Sequence, residues 1–145
     1  MNQHLGNTAM RSKILLTLLV LGISACSETE QVTLAGSEWK PVFEDIEDTG
    51  EAFVRFGEDG TVDGSLGCNE IQGRFTLDGG EISIRPLNLL FVPCSNRIEY
   101  PRGPVEKRFF DALLDAAKAE RDGTKLSLFD AEDQKILDLQ QVDAD

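Results

Sequence analysis

The chain has 145 residues, of which 41% are hydrophobic and 28% charged, a composition typical of one globular domain. It is strongly acidic, with 26 Asp and Glu against 14 Lys and Arg and a formal net charge of −12. A nucleic-acid backbone needs a basic surface, so we expect no nucleic-acid partner. The single histidine, His4, lies in a segment that export would remove. A chain without histidine cannot use imidazole for catalysis or metal binding. We therefore expect a protein that is not an enzyme and that binds no metal or cofactor.

The N-terminal residues have the pattern of an export signal. Arg11 and Lys13 precede an apolar run over 14–25, which is shorter than the roughly 20 residues that a membrane-spanning helix needs. A buried core helix is the alternative interpretation, but the charged flank and the terminal position favour a secretory signal. We therefore predict a signal peptide over 1–25.

The segment Ile23-Ser24-Ala25-Cys26 resembles a bacterial lipobox, the motif at which the lipoprotein signal peptidase cuts before the cysteine. The resemblance implies that Cys26 becomes the N-terminus and carries a diacylglyceryl thioether and an N-acyl chain such as palmitate. Several acyl chains hold a protein stably on a membrane. Ser27, where a retention signal has Asp, implies sorting to the outer membrane. We expect a lipid-anchored protein on the periplasmic face.

The start and the domain boundaries follow from this processing. Either Met1 or Met10 is a possible first residue, and loss of the two basic residues of the signal takes the net charge from −12 to −14. The remaining chain divides into a lipidated tether over 26–33, one folded domain over 34–141 and an acidic tail over 142–145.

Alternation of apolar and polar residues predicts about seven short strands, separated by turns rich in Gly and Asp. They are predicted over 39–46, 52–56, 61–66, 74–77, 81–85, 125–129 and 135–139. Pro86 is expected to end the fifth strand, because proline cannot donate to a sheet ladder. Residues 87–103 are expected to be irregular. Pro104 and the apolar spacing after it predict an amphipathic helix that continues to about Glu120.

These elements predict an α+β fold, with an antiparallel, strongly curved sheet or open barrel covered by the helix in the C-terminal half. The helix residues Phe109, Phe110 and Leu113 are expected to pack on the sheet. Their predicted partners are apolar strand residues: Trp39, Phe53 or Val54, Phe75 and Leu128. An apolar cleft that holds an acyl chain or a partner's apolar segment is the alternative to a packed core.

An ordered set of short motifs runs through the predicted domain: Leu34-Ala35-Gly36-Ser37-Glu38-Trp39, then Phe56 and Gly60, then Gly67-Cys68-Asn69, Gly73-Arg74-Phe75 and Cys94. In this order the set resembles the META domain family, which includes heat-shock lipoproteins of the HslJ type. The resemblance implies an envelope protein linked to stress and antibiotic tolerance, with no catalytic residues. The segment Leu89-Leu90-Phe91-Val92 departs from the Thr and Met-rich stretch that members often carry there.

Cys68 and Cys94 are predicted to form a disulfide, because export places them in an oxidising compartment. The alternatives are two buried free thiols or a redox-active pair. A redox-active pair is disfavoured, since the chain has neither C-x-x-C spacing nor a neighbouring His to lower a thiol pKa.

Other residue clusters favour structural interpretations. The glycines over 57–73 lack the Gly-Lys-Ser/Thr of a phosphate loop, and the acidic clusters over 44–48 and 130–133 lack an EF-hand pattern, so both predict turns. The run Leu89–Val92 predicts core packing beside Cys94 or, alternatively, an exposed patch that meets a lipid or protein partner.

Two functions follow as hypotheses. The first is a non-catalytic, lipid-anchored envelope protein that acts by binding an envelope protein or lipid under stress. The second is an acidic periplasmic inhibitor of a basic enzyme such as lysozyme, since a strong negative charge steers a cationic target.

Overall fold

The computed structural model describes residues 31–91 and 102–142. In this part of the chain it has eight strands and one helix. In chain order they are β1 (Ser37–Val42), β2 (Phe53–Phe56), β3 (Thr61–Ser65), β4 (Glu70–Asp78), β5 (Glu81–Leu90), α1 (Arg102–Asp115), β6 (Lys118–Asp122), β7 (Lys125–Phe129) and β8 (Lys135–Val142).

The strands form one antiparallel sheet that closes into a ring, because β1 pairs with both β2 and β8. The ring is uneven. β4 and β5 pair along their whole lengths, whereas β5 and β6 share the single register pair Glu81 with Lys118. Two backbone bonds flank that pair: the Ile82 N–H donates to the Ala117 carbonyl at 3.0 Å, and the Ala119 N–H donates to the Gly80 carbonyl at 2.8 Å. The predicted antiparallel α+β class is confirmed.

The eighth strand lies where the sequence predicted the end of the helix. α1 ends at Asp115, and Lys118–Asp122 forms β6 instead of a last helical turn. Ala112, Ala116 and Ala119 are buried at helical spacing, so the pattern alone favours a helix. Residues 118–122, however, pair in full register with β7. This tertiary pairing outweighs the local helix preference.

The prediction that Pro86 ends the fifth strand is wrong, because β5 continues to Leu90. Beyond Glu81 the second edge of β5 has no strand beside it among the described residues, so proline interrupts no ladder there. On the other edge the register with β4 shifts between Gly73 and Phe75. A Cβ on Gly73 would lie 2.1 Å from the Pro86 carbonyl oxygen, so the close approach of the two strands requires glycine.

The interior of the ring is apolar, and alternate strand residues point into it. Most of the predicted contact residues lie there without solvent exposure: Trp39, Val54, Phe109, Leu113 and Leu128. Three others are half-buried: Phe53, Phe75 and Phe110. The Phe75 ring meets the fully buried ring of Phe56 edge-on, with centroids 4.9 Å apart. The described helix and sheet therefore share a packed core, as predicted.

Because neighbouring strands are antiparallel, the connections between them lie alternately at two ends of the ring, which we call the helix end and the turn end. Among the described residues, the helix end has α1 and three connections, over 43–52, 66–69 and 130–134. The turn end consists of the N-terminal segment and three tight turns, over 31–36, 57–60, 79–80 and 123–124. The strands run alternately between the two ends, but they are staggered around the ring, so that Glu81, which begins β5, lies beside Lys118, which begins β6.

Candidate functional site

The Gly-Cys-Asn motif forms a short loop between β3 and β4 that α1 holds in place. The Glu106 carboxylate accepts hydrogen bonds from the backbone N–H of Cys68 at 3.0 Å and of Asn69 at 3.4 Å. Its second oxygen accepts from the Asn69 side-chain amide at 3.3 Å. Gly67 has a φ of 114°, a conformation that L side chains rarely adopt, which explains the glycine. The motif residues therefore form a loop that is hydrogen-bonded to α1 through Glu106.

An apolar groove lies between this loop and α1, with a volume of about 250 Å³. Its wall is formed by Leu66, Leu89, Gly103 and Phe110 together with the polar and charged residues Asn69, Glu106, Lys107 and Asp111. Leu89 packs against the core, whereas Leu90 is 43% exposed and Phe91 is 82% exposed. Each of the two predicted interpretations therefore holds for part of the run: Leu89 packs on the core, and Leu90 and Phe91 are exposed to solvent. Val92 lies outside the described residues.

The motif Leu34–Trp39, which leads into β1 and includes its first three residues, forms a chain of buried polar contacts at the turn end. The Ser37 hydroxyl donates to the Leu34 carbonyl, and the Trp39 indole Nε1 donates to Ser37 Oγ at 2.6 Å. The Arg121 guanidinium lies 5.2 Å from the centre of the Trp39 ring and donates to the Thr33 carbonyl at 2.6 Å. These contacts fix the N-terminal segment to the ring, so the motif has a structural role.

The acidic clusters over 44–48 and 130–133 lie in the connections at the helix end, where their carboxylates accept hydrogen bonds. Both oxygens of Asp45 accept from Arg108 at 2.8 Å, and that guanidinium lies 4.4 Å from the centre of the Phe43 ring. The hydrogen bond from Arg108 lowers the pKa of Asp45 below its ordinary value. Asp48 and Asp130 accept backbone N–H groups within their own turns. The clusters are turn residues, as the sequence indicated.

A second polar site lies on the outer face of β8. Asp138 accepts from the Ser127 hydroxyl at 2.6 Å and from Lys135 Nζ at 2.9 Å, and Lys125 Nζ lies 3.5 Å away. Burial raises the pKa of Asp138, but the hydrogen bonds from Ser127 and Lys135 and the two lysine charges outweigh it, so the pKa is lowered. This cluster joins β7 to β8.

The predicted cysteine sites are only partly described. Cys68 is disulfide-bonded. Cys26 and Cys94 lie outside the described residues, so lipidation of Cys26 and the Cys68–Cys94 pairing stay predictions. Over residues 31–91 and 102–142 no three His, Cys, Asp or Glu side chains come together as a metal site. No helix in this part of the chain is long and apolar enough to cross a bilayer.

Glu106 is the site residue that sequence reasoning missed. Its position on the polar face of the predicted helix gave it no role beyond solvation. The sequence holds no local signal for it, because its partners lie 37 and 38 positions earlier in the chain.

Over the described residues, the closed antiparallel sheet, the single helix over one end and the helix-docked Gly-Cys-Asn loop define a small α+β domain of one known class. The META domain model matches residues 26–143, and the chain belongs to the META domain family. No curated protein matches it significantly in sequence.

Solved structures show the same fold. One protein solved by NMR is 23% identical, with a TM-score of 0.52 over 76% of this chain and 95% of its own. A second NMR structure, from Burkholderia xenovorans, is 16% identical, with a TM-score of 0.56 over 77% of this chain and 85% of its own. At these identities the similarity establishes the fold alone.

Proposed function

We propose that this protein is a non-catalytic, lipid-anchored envelope protein of the META/HslJ type, which supports the cell envelope under stress or antibiotic challenge by binding. The observation that carries the proposal is how the family motifs are used. Glu106 docks the Gly-Cys-Asn loop on α1, and Ser37 bridges Leu34 and Trp39. The motif residues make structural hydrogen bonds, and we therefore infer that the protein acts through its surface, by binding, and not through a catalytic group in these motifs.

The lipobox-like Ile23-Ser24-Ala25-Cys26 supports the anchor. The described chain begins at Gln31, and Leu34 is fully buried at the turn end of the ring. A short tether therefore connects the proposed lipid to a fixed point on the domain. Ser27 favours sorting to the outer membrane, with the domain in the periplasm.

Metabolic labelling with a palmitate analogue tests the anchor. We expect label on the wild-type protein and none on Cys26→Ala, together with loss of the protein from the outer-membrane fraction. A strain that lacks the protein should then survive heat or antibiotic challenge less well, and the wild-type gene should restore survival better than Cys26→Ala. An unlabelled wild-type protein would contradict the anchor.

A specific observation favours inhibition of a basic enzyme as a second candidate function. Acidic residues crowd the connections at the helix end, with five over 43–52, namely Glu44, Asp45, Glu47, Asp48 and Glu51. Such a field accelerates association with a cationic protein. Purified protein added in micromolar excess to a lysozyme assay should slow the enzyme, and an unchanged rate rejects this candidate.

A further inference from the structure

A cavity of about 630 Å³ lies at the turn end of the ring, where β6 faces the turn over 79–80 and the first described residues of the chain. Gln31 forms part of its wall, and the charged residues of the wall are Lys118, Glu120 and Arg121. Lys118 Nζ lies 3.0 Å from a carboxylate oxygen of Glu120, so these two charges are paired. Arg121 is the third charge of the wall, and no carboxylate pairs with it among the described residues.

The guanidinium of Arg121 donates to neutral oxygens in the described part of the chain. The acceptors are the backbone carbonyls of Thr33 at 2.6 Å and Gly123 at 2.9 Å, and the side-chain oxygen of Gln141 at 2.9 Å. A guanidinium has five N–H groups, so these three bonds leave two donors for a further acceptor. An ionised acceptor such as a carboxylate makes the strongest hydrogen bonds to such a half-buried cation.

Acidic side chains near the cavity decide which anion can reach this guanidinium. Asp78, Glu81 and Asp122 adjoin wall residues in the sequence, and Asp133 lies 3.5 Å from Lys118 Nζ. These charges disfavour a soluble anion or an anionic lipid surface, because each must approach from outside. A carboxylate that is covalently attached beside the cavity experiences the repulsion whether or not it binds, so the repulsion opposes its binding less.

The tether carries a carboxylate at this position. Glu30 immediately precedes Gln31, so their Cα atoms lie about 3.8 Å apart. Glu28 is two positions farther from the wall. A short covalent link of this kind gives the Glu30 carboxylate an effective concentration on the order of millimolar at the cavity. Charge and chain length therefore favour the protein's own tether as the occupant.

We propose that the tether docks on this cavity through an ion pair between the Glu30 carboxylate and the Arg121 guanidinium. Arg121 then holds the chain at two points, the Thr33 carbonyl and the Glu30 side chain. The consequence at the membrane rests on the proposed anchor at Cys26. Cys26 lies four positions before Glu30, which is at most about 14 Å of chain, and the docked tether turns the turn end of the ring toward the bilayer.

The exchange rate of the Gly36 amide hydrogen tests the ion pair, in the full chain in neutral detergent micelles. The Gly36 N–H donates to the Phe56 carbonyl at 2.7 Å, so its exchange reports opening of the N-terminal segment. Glu30→Gln should raise this rate about two- to fivefold, the effect of an ion pair near the surface. Glu28→Gln, the same change of charge two positions away, is the matched control and should leave the rate unchanged.

A second pair of variants shows whether Arg121 is the partner. In an Arg121→Gln background, Glu30→Gln should add no further increase, because the interaction is already absent. Arg55→Gln is the matched background, since it removes an exposed guanidinium of β2 that pairs with Glu38 and Asp63. There Glu30→Gln should keep its full effect. If Arg121→Gln does not fold, the comparison of Glu30→Gln with Glu28→Gln still decides the proposal.

Four outcomes would overturn the ion pair. Equal exchange in wild type and Glu30→Gln would show that the tether does not dock, and equal increases in Glu30→Gln and Glu28→Gln would show a diffuse effect of charge. An effect of Glu30→Gln that persists in Arg121→Gln would place the carboxylate elsewhere. Exchange that slows when phosphatidylglycerol is added, equally in wild type and Glu30→Gln, would assign Arg121 to a lipid phosphate instead.

The orientation at the membrane has its own measurement. In phosphatidylcholine nanodiscs that contain a headgroup spin label, the amide signals of Gly79 and Gly123 at the turn end should broaden more than that of Gly67 at the helix end. Glu30→Gln should reduce the difference, and equal broadening in wild type would overturn the orientation. The exchange experiment does not need the anchor, so failure of the Cys26 labelling experiment and failure of the ion pair are separate results.

Discussion

The Glu106 carboxylate on α1 accepts a hydrogen bond from the backbone N–H of Cys68, which lies 38 residues earlier in the chain. The same side chain accepts from the backbone and the side chain of Asn69. One carboxylate therefore accepts from three donors of this loop. The helix and the family's Gly-Cys-Asn motif form one unit across the helix end of the ring.

Glu106→Ala should destabilise the protein by about 1–3 kcal/mol, because it removes the carboxylate to which the partly buried N–H groups of Cys68 and Asn69 donate. Urea unfolding measures the loss, and hydrogen exchange at these two amides should increase more than exchange in the central strands.

Two variants on the same helix make this result specific. Glu106→Gln keeps an acceptor oxygen and should recover part of the loss. Asp111→Asn removes an exposed ion pair with Lys107 and should cost less than about 0.5 kcal/mol. Equal losses in Glu106→Ala and Asp111→Asn would contradict the special role of Glu106.

Ser37→Ala should also cost about 1–3 kcal/mol, because the buried Trp39 indole N–H loses its acceptor, whereas the Leu34 carbonyl keeps the Ser37 backbone N–H and loses only the hydroxyl. Trp39 is the single tryptophan of the chain, so its fluorescence reports the change directly. Ser83→Ala, on an exposed position of β5, is the control. An unaltered emission maximum and stability in Ser37→Ala would show that the chain of bonds contributes little.

Local patterns in the sequence were sufficient for most of the sheet. Alternation in β2, β3 and β7 survives folding because one face of each strand points into the core. The helix start near Pro104 was equally local. These elements need no information about distant partners, so the sequence alone predicted their type and position.

The errors arise where a distant partner decides the structure. Lys118–Asp122 is a strand because β7 pairs with it. β5 continues past Pro86 because, among the described residues, no strand pairs with its second edge beyond Glu81. Glu106 has no role until folding brings Cys68 beside it. None of these contacts leaves a periodic signal in the sequence.

Asp138 should make the stability of the protein depend on acid pH. Its folded-state pKa is lowered below the ordinary 3.8, so its contribution is fully present above the unfolded-state pKa. That contribution is lost as the pH falls from about 4 through the lowered folded-state value. Asp138→Asn should therefore be less stable than wild type at pH 7, and the difference should shrink toward pH 2.5 in urea unfolding.

Asp122→Asn, an exposed carboxylate at the end of β6, is the matched control for this titration. It should leave the acid slope close to that of the wild type. A difference between Asp138→Asn and wild type that stays constant from pH 7 to pH 2.5 would show that Asp138 acts through packing and not through its charge.

The Cys68–Cys94 disulfide should be found by mass spectrometry of non-reduced protein as one pair of linked peptides. A bridge that closes residues 68–94 stabilises by roughly 3.5 kcal/mol in the chain-entropy model. Reduction should therefore lower the melting temperature and loosen the Gly-Cys-Asn loop more than the β6–β7 hairpin. Thiols at Cys68 and Cys94 that alkylate without reductant would contradict the pairing.

Leu113→Ala should cost about 2–5 kcal/mol, because Leu113 is fully buried between helix and sheet and its truncation leaves a cavity in a packed core. Val42→Ala, at a position that is 50% exposed, should change stability by less than about 0.5 kcal/mol. Native mass spectrometry of the delipidated wild type should then show no bound lipid. A small cost in Leu113→Ala, together with bound lipid that this variant releases, would instead show an apolar cleft inside the ring, and the interior would be a binding site.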